Sequence, residues 1–340
     1  MTKSIGMLIA GEISHGDTRL ALCGLDMGRP VVVVEETTPN VDFAGLGPLV
    51  HSFLAKYRPP QIRGAAFVVP GPVHEGVSLA ANLPWNIDAR ALSAELGIER
   101  IAVLADAEAV AHAIPTLSPE DLLLVSSGAA SEPGNQAVIV AGACPGMSGS
   151  FWNGTEQCPF VSEGIHADFA PSDEDEAALA LHLSALVARV TVELLLSSSG
   201  LGLIYQYHRG KSAEPERLRD SMHDEDAATV ILREATAGTD PVCRQAVDTF
   251  LRIFGSAAAN LALTFRATGG VYIAGRVVPG VRAALTSGVF LSAFCRKAPM
   301  QGLLERIPIH AIMSDRGALL GAATVAAREL RGRRVGGWAS

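Results

Sequence analysis

Apolar positions recur along the chain with two periods, and their order predicts strands alternating with helices. Strand-like runs at residues 4–10, 19–25 and 31–37 are separated by turn-formers at Gly16-Asp17 and at 26–30. A helical pattern spans 43–57, followed by a strand at 64–69 that stops at Pro70-Gly71-Pro72. Residues 89–96 read as a helix, 101–105 as a strand, and 107–114 as a helix ended by Pro115, which lacks an N–H. A looser version of this order follows. It has strands at 122–125, 137–140 and 148–152, helices at 174–196, 224–237 and 242–265, and a strand at 270–274. A strand at 308–313 and a helix at 318–330 close the pattern. Such alternation implies sheets covered on their faces with a ligand cleft near strand ends. Two such units in succession predict an α/β protein with two lobes and its largest cleft between them.

Composition narrows the classes. At 340 residues the chain exceeds the size at which a single core stops growing, so two domains are expected. Apolar residues make up 49% and charged residues only 18%, which suits a packed globule and excludes a disordered one. The net charge is -8 with scattered basic residues, which excludes nucleic acid as a partner. Five cysteines (Cys23, Cys144, Cys158, Cys243, Cys295) are odd in number and widely spaced. That argues against a disulfide framework and for a reducing compartment, so a cytoplasmic location is expected. No run of eighteen uncharged apolar residues occurs, so no membrane span is expected.

The candidate chemistry lies in three separated acids and one histidine. Asp106 follows the apolar strand at 101–105, Glu163 and His166 stand three apart beside Gly164, and Glu193 sits in a long helical pattern. Without Cys-x-x-Cys support this set suits a polyhydroxyl ligand better than a metal, because carboxylates accept the hydroxyls of a sugar. Each residue has a second reading. Asp106 lies where a helix N-cap belongs. Glu163 and His166 also read as a surface pair. Glu193, inside Val190-Thr191-Val192-Glu193-Leu194-Leu195-Leu196, needs a partner, and a buried salt bridge to an arginine would serve as well as a sugar. Cys144, Cys158 and His166 match no recurrent zinc spacing, and residues 142–149 lack both the dinucleotide fingerprint and the P-loop ending.

Several segments together resemble the bacterial glucokinases of the actin-like (ribonuclease H-like) sugar kinase fold, the branch without a structural zinc. Thr18-Arg19-Leu20-Ala21-Leu22-Cys23 is similar to the strand after the family's first phosphate loop, and Val103-Leu104-Ala105-Asp106 to the segment with the catalytic Asp. Ser162-Glu163-Gly164-Ile165-His166, with Asp168-Phe169-Ala170-Pro171 after it, resembles the sugar segment Gly-Glu-Gly-Gly-His. Gly269 to Gly275, with Val278-Pro279, resembles the adenosine segment, and Leu319-Leu320-Gly321 the closing helix. The likeness is collinear over nearly the whole chain.

The resemblance implies two actin-like lobes with a ligand cleft between them: residues 1–115 plus 314–330 as the small lobe, 116–313 as the large lobe, and 331–340 as a flexible tail. It implies ATP-dependent phosphorylation of a hexose at its primary hydroxyl, with glucose as the family's substrate, ATP and Mg2+ as the donor, and a homodimer. Asp106 would be the general base; Asn82, Asp106, Glu163, His166 and Glu193 would hold the sugar. Glu12, Gly16, Gly142, Gly146 and Gly275 would face the nucleotide.

The nucleotide side departs from the family pattern. Asp-x-Gly-Gly-Thr-Asn is replaced by Glu12-Ile13-Ser14-His15-Gly16-Asp17, and Gly-Thr-Gly-x-Gly by Gly142-Ala143-Cys144-Pro145-Gly146. Arg276 replaces the second glycine of a pair, and Ala105 the Asn before the catalytic Asp. Left-handed backbone at Ser14-His15 would cost about 1–2 kcal/mol per residue. These departures motivate two further readings: a sugar-binding paralogue, a sensor or partner protein without turnover, and a kinase for a modified sugar or cyclitol.

Overall fold

The computed structural model describes residues 6–79, 83, 85–129, 133–210 and 213–330. They form two compact units. Unit 1 takes the described residues of Met1–Ser118, Pro159–Val161 and Asp315–Ser340; unit 2 takes those of Pro119–Cys158 and Ser162–Ser314.

In unit 1, β1 (Met7–Ile13), β2 (Asp17–Asp26) and β3 (Arg29–Pro39) form an antiparallel meander. After α1 (Leu46–Tyr57), β4 (Ile62–Val69) returns parallel to β1. A small hairpin, β5 (Val73–His74) and β6 (Val77–Ser78), precedes α2 (Ala89–Leu96). Strand β7 (Ile101–Ala105) adds parallel to β4 and leads into α3 (Asp106–Ala113). The sheet order is β3-β2-β1-β4-β7.

Alternation along these strands fills both faces of the sheet, as period-2 geometry requires. Ile9, Ile13, Leu20, Leu22, Phe67 and Val69 pack under α1 and α2. The opposite face presents smaller side chains, Ala10, Ala21, Cys23 and Ala66, and the C-terminal helix packs there together with Ala109 of α3.

Unit 2 begins with β8 (Leu122–Ser126), β9 (Gln136–Val140), β10 (Gly146–Trp152) and β11 (Gln157–Ser162). The helices α4 (Glu174–Ser184), α5 (Val192–Leu196), α6 (Ser198–Arg209), α7 (Glu216–Asp224), α8 (Ala227–Ala237) and α9 (Pro241–Phe265) follow. Then come β12 (Val271–Ala274), the short helices α10 (Val277–Gly280), α11 (Arg282–Leu285), α12 (Val289–Cys295) and α13 (Gln301–Leu304), and β13 (Ile309–Ile312). The sheet order is β11-β10-β9-β12-β13-β8, with β9, β12 and β13 parallel. Its core is aromatic at the centre: Phe254 of α9 meets Phe290 of α12 edge to face at 5.4 Å. Helix α14 (Gly317–Leu330) then returns the chain to unit 1.

Four expectations change. The first strand runs three residues later than 4–10, carrying Gly11 and Glu12 inside it. The first helix begins at Leu46, after a 3-10 turn at Asn40–Asp42. The helix expected at 224–237 is α8 alone, and α7 precedes it. The helix expected at 174–196 is two helices with a break at 185–191. Thr191 caps α5 by accepting from Leu194 N at 3.2 Å, and Val192 N is drawn out to Ala167 O at 3.0 Å. Those two bonds end the helical period where the sequence has no Gly or Pro to signal it. Among the described residues, no helix is long and apolar enough to cross a membrane. All five cysteines are free.

Candidate functional site

In unit 1 the candidates gather at the carboxyl ends of the parallel strands β1, β4 and β7, the end at which open α/β sheets receive ligands. Asp106 is the first residue of α3, half-buried, one residue past the end of β7. It is not the cap. Ala105 holds the N-cap position, and no side chain caps the helix in the usual forward sense. Instead Glu108, in the first turn, takes a hydrogen bond from the backbone N–H of Ala105, the reciprocal half of a capping box. The sequence signal for Glu108 was its offset of three from Ala105.

Burial pushes the Glu108 carboxyl up to about 7, against the opposing pull of that backbone bond. His112, one turn on, is held down at about 3 by burial and by Arg328, whose Nη1 donates to its Nδ1 at 3.3 Å. The two act oppositely on stability. Raised Glu108 stabilises the fold fully below its unfolded value, about 4.3, and that contribution is lost as pH rises through 7. Glu108→Gln is therefore expected to melt higher than the wild type at pH 8 and to lose that advantage at pH 4. Differential scanning calorimetry of the pair at both pH values checks this, and taking the difference cancels His112.

The turn between β1 and β2 is closed on itself. Ser14 Oγ donates to Asp17 Oδ1 at 2.6 Å, Ser14 N reaches Asp17 O at 2.8 Å, and Asp17 N reaches Ser14 Oγ at 3.2 Å. Asn40, buried and bonded to Thr18 at 2.7 Å, holds the turn from outside by donating to Ser14 O at 2.8 Å. None of residues 14–17 has a left-handed φ, so the expected strain at Ser14-His15 is absent. A side chain at Gly16 would meet nothing within 4 Å, so this point of the turn is open. Glu12 lies opposite Arg19 across the β1–β2 ladder, with 3.9 Å between their charged atoms. Asn82 lies outside the described residues, as does the tail at 331–340.

In unit 2 the sugar segment is a single 3-10 turn, Gly164–His166, with Glu163 at its N-cap. Ile165, where the family has glycine, is 2% exposed and joins the main core, so the turn is anchored from beneath. Glu163 and His166 stay exposed on the other side, 3.6 Å apart. Asp168 is bound by Arg189 on both carboxylate oxygens, and that contact draws it below the usual carboxylate range.

Glu193 is the second residue of α5, half-buried, and has neither a hydrogen bond nor an ion pair to a described residue. Among the described residues no arginine forms the alternative buried salt bridge with Glu193. Backbone bonds join the pieces: Phe169 N to Val190 O and Val192 N to Ala167 O, both 3.0 Å. The Glu193 helix thus sits directly beside the Glu163–His166 turn.

The same chain of bonds continues to the nucleotide candidates. Gly142 N donates to Leu196 O at 3.0 Å, and Ala141 N to Ala274 O at 2.8 Å. Gly142 and Gly275 both have positive φ, 132° and 109°. A Cβ on Gly275 would come within 1.9 Å of Ala141 O, so only glycine lets the ends of β9 and β12 touch there. Gly146 starts β10 opposite Val140, which makes 141–145 a hairpin loop.

Known proteins resemble this chain over nearly its whole length. A family model described as Glucokinase matches residues 9–329. The glucokinase of Nostoc sp. is 33% identical, covering 95% of this chain and 99% of the relative. Among solved structures, a glucokinase from an Antarctic psychrotroph superposes with a TM-score of 0.79 at 25% identity, covering 94% of this chain and 98% of that one. The glucokinase of Balamuthia mandrillaris, solved in complex with glucose, gives 0.78 at 17% identity, covering 96% and 95%, a likeness of fold. The span of these matches favours the kinase reading over a sugar-binding paralogue without turnover. The chain belongs to the glucokinase family and is an ATP-dependent hexose kinase of actin-like α/β fold.

Proposed function

We propose that the hexose is glucose, that Glu163, His166 and Glu193 grip its hydroxyls, and that Asp106 is the base for the attacking primary hydroxyl. The observation that carries this is the run of backbone hydrogen bonds in unit 2. It joins the Glu163–His166 turn to the Glu193 helix, and that helix to Gly142 and Ala274. Sugar and nucleotide candidates of that unit therefore form one contiguous rim at the ends of its strands. Glucose in the Balamuthia structure supports the choice of sugar.

Phosphoryl transfer asks little covalent work of the protein. The exposed carboxylate of Glu163 and the half-buried one of Glu193 accept hydroxyl protons and fix the ring. His166 adds a nitrogen that donates or accepts. Asp106 takes the proton of the primary hydroxyl as its oxygen bonds to the terminal phosphorus of ATP; the bond from that phosphorus to the leaving ADP oxygen breaks.

Magnesium suits hard oxygen donors and keeps several waters. Glu12, at the carboxyl end of β1 with its side chain 25% exposed, is the carboxylate by the turn that fits it. When bound, the ion neutralises charge on the donor phosphates. The open flank at Gly16 and the hairpin loop at 141–145 are the surfaces left for those phosphates, and the family's paired-glycine cradle is replaced by a turn that uses two of its own N–H groups internally.

Glu193→Gln tests the sugar grip. Hydrogen bonds to charged groups contribute about 1.5–3 kcal/mol, so glucose affinity should fall roughly 10- to 100-fold. Calorimetry with glucose reads this, with ATP titrated separately as the control. Unchanged glucose binding would remove Glu193 from the site.

A further inference from the structure

Unit 2 holds a cavity of about 370 Å³ that none of the sugar or nucleotide candidates lines. Arg244, Asp248, Thr249 and Arg252 reach it from one side of α9, Tyr207 and His208 from the end of α6, and Asp175 from the start of α4. Its size lies in the range of small-molecule sites, about 300–1,000 Å³.

The wall is polar and largely pre-arranged. Thr249 is 3% exposed; its hydroxyl oxygen accepts from Arg252 Nη2 at 3.2 Å and lies 2.9 Å from His208 Nε2. Burial and the charge of Arg252 lower the His208 pKa against the opposing pull of Asp175, which favours the neutral ring. Among the described residues the Thr249 hydroxyl proton meets one acceptor, His208 Nε2, and the ring tautomer that suits this pair is the one in which it donates there. The ring proton is then on Nδ1, which has no hydrogen-bond partner among the described residues.

Behind Arg252 stands Glu176, fully buried, with Oε2 accepting from the N and Oγ of Ser172 at 2.8 Å each. Its Oε1 faces Arg252 Nε at 3.9 Å, and both atoms are buried without a hydrogen-bond partner. The unmatched Arg252 Nε and Glu176 Oε1 face each other as a long ion pair, and a buried pair that closes no hydrogen bond is costly.

We propose that this cavity binds a hydroxylated anion of the sugar-phosphate class, with the phosphate against Arg244, Arg252 and His208 Nδ1 and the hydroxyls on Asp175 and Asp248. Guanidinium forks match phosphate oxygens, and carboxylates accept hydroxyl protons. A bare phosphate would leave two carboxylates facing like charge. Arg244 Nε already lies 3.3 Å from both Asp248 oxygens, so a phosphate would meet the Arg244 Nη atoms, which a neutral sugar would leave without a charged partner. The class follows from the charges in this cavity and does not depend on Asp106 being a base. Glu176 also links the cavity to the sugar segment, because Ser172 lies six residues after His166.

The test is calorimetric titration of glucose 6-phosphate into the full chain held in saturating glucose without ATP, with inorganic phosphate as a second titrant. Binding should persist under saturating glucose, weaken tenfold or more in both Arg244→Gln and His208→Ala, and exceed that of inorganic phosphate by tenfold or more. Arg244 is exposed, so its variant should fold and keep its kcat when no sugar phosphate is added. Abolition of the heat by glucose, indifference to both substitutions, or equally tight inorganic phosphate would each overturn the proposal. Asp106→Asn should leave these heats intact, which separates failure here from failure of the base assignment.

Discussion

Asp106→Asn should lower kcat by about 10²- to 10⁴-fold, the usual contribution of a positioned general base, while changing glucose affinity less than tenfold. The structure makes this a clean experiment. Asp106 occupies the first helical position of α3 and not its cap, and the helix end is served by Glu108 bonding back to Ala105. Asparagine keeps the size and most of the hydrogen bonding of aspartate but cannot take up a proton at neutral pH. Thermal stability should therefore hold near the wild-type value as turnover collapses. A coupled assay, with calorimetry for glucose, reads both quantities. Turnover within tenfold of wild type would show that some other group accepts the proton.

Gly321→Val should produce the largest loss of stability. A Cβ at Gly321 would stand 1.8 Å from Ala109 O and 3.0 Å from Ala109 Cα, both backbone atoms of α3 that cannot swing away. Helix α14 would have to retreat as a body from α3 and from the small-residue face of the sheet. Overpacking of this kind costs typically 1–3 kcal/mol and occasionally more; with a rigid backbone as the obstacle, about 3 kcal/mol or more is expected. Urea unfolding and melting temperature report it. Gly202→Ala is the control: it lies inside α6 with nothing within 4 Å of a Cβ, so the change should be neutral or stabilise by about 0.5–1 kcal/mol. If the two variants melt alike, the close approach of α3 and α14 is not what limits position 321. Any folded Gly321→Val protein should also turn over more slowly, because α3 carries Asp106.

What the sequence made legible divides along physical lines. Residues 89–96 and 101–105 were read with their boundaries intact, because a capping Asp88, a terminal Gly97 and an apolar strand run are local signals. The break at 185–191 was not, because it depends on Ala167 and Phe169 reaching across from another part of the chain. Strand β11 and the helices α6 and α10 to α13 were missed as well; α10 to α13 run four to seven residues and give no window long enough for a period to show. For the site, residue types in order suggested a sugar. Ile165 turning inward, the Asp168–Arg189 pair and the self-closed turn at 14–17 required coordinates. The strain expected at Ser14-His15 failed because glycine in a relative's loop does not oblige this chain to adopt the same backbone.

The hydrogen bonds from Val192 N to Ala167 O and from Phe169 N to Val190 O involve main chain only. The spacing of Glu163, His166 and Glu193 is consequently indifferent to which side chains are mounted there. Those three positions behave as interchangeable heads on a fixed rail. On the proposed sugar grip, a change of sugar preference, by evolution or by a protein engineer, would need new heads without re-laying the track.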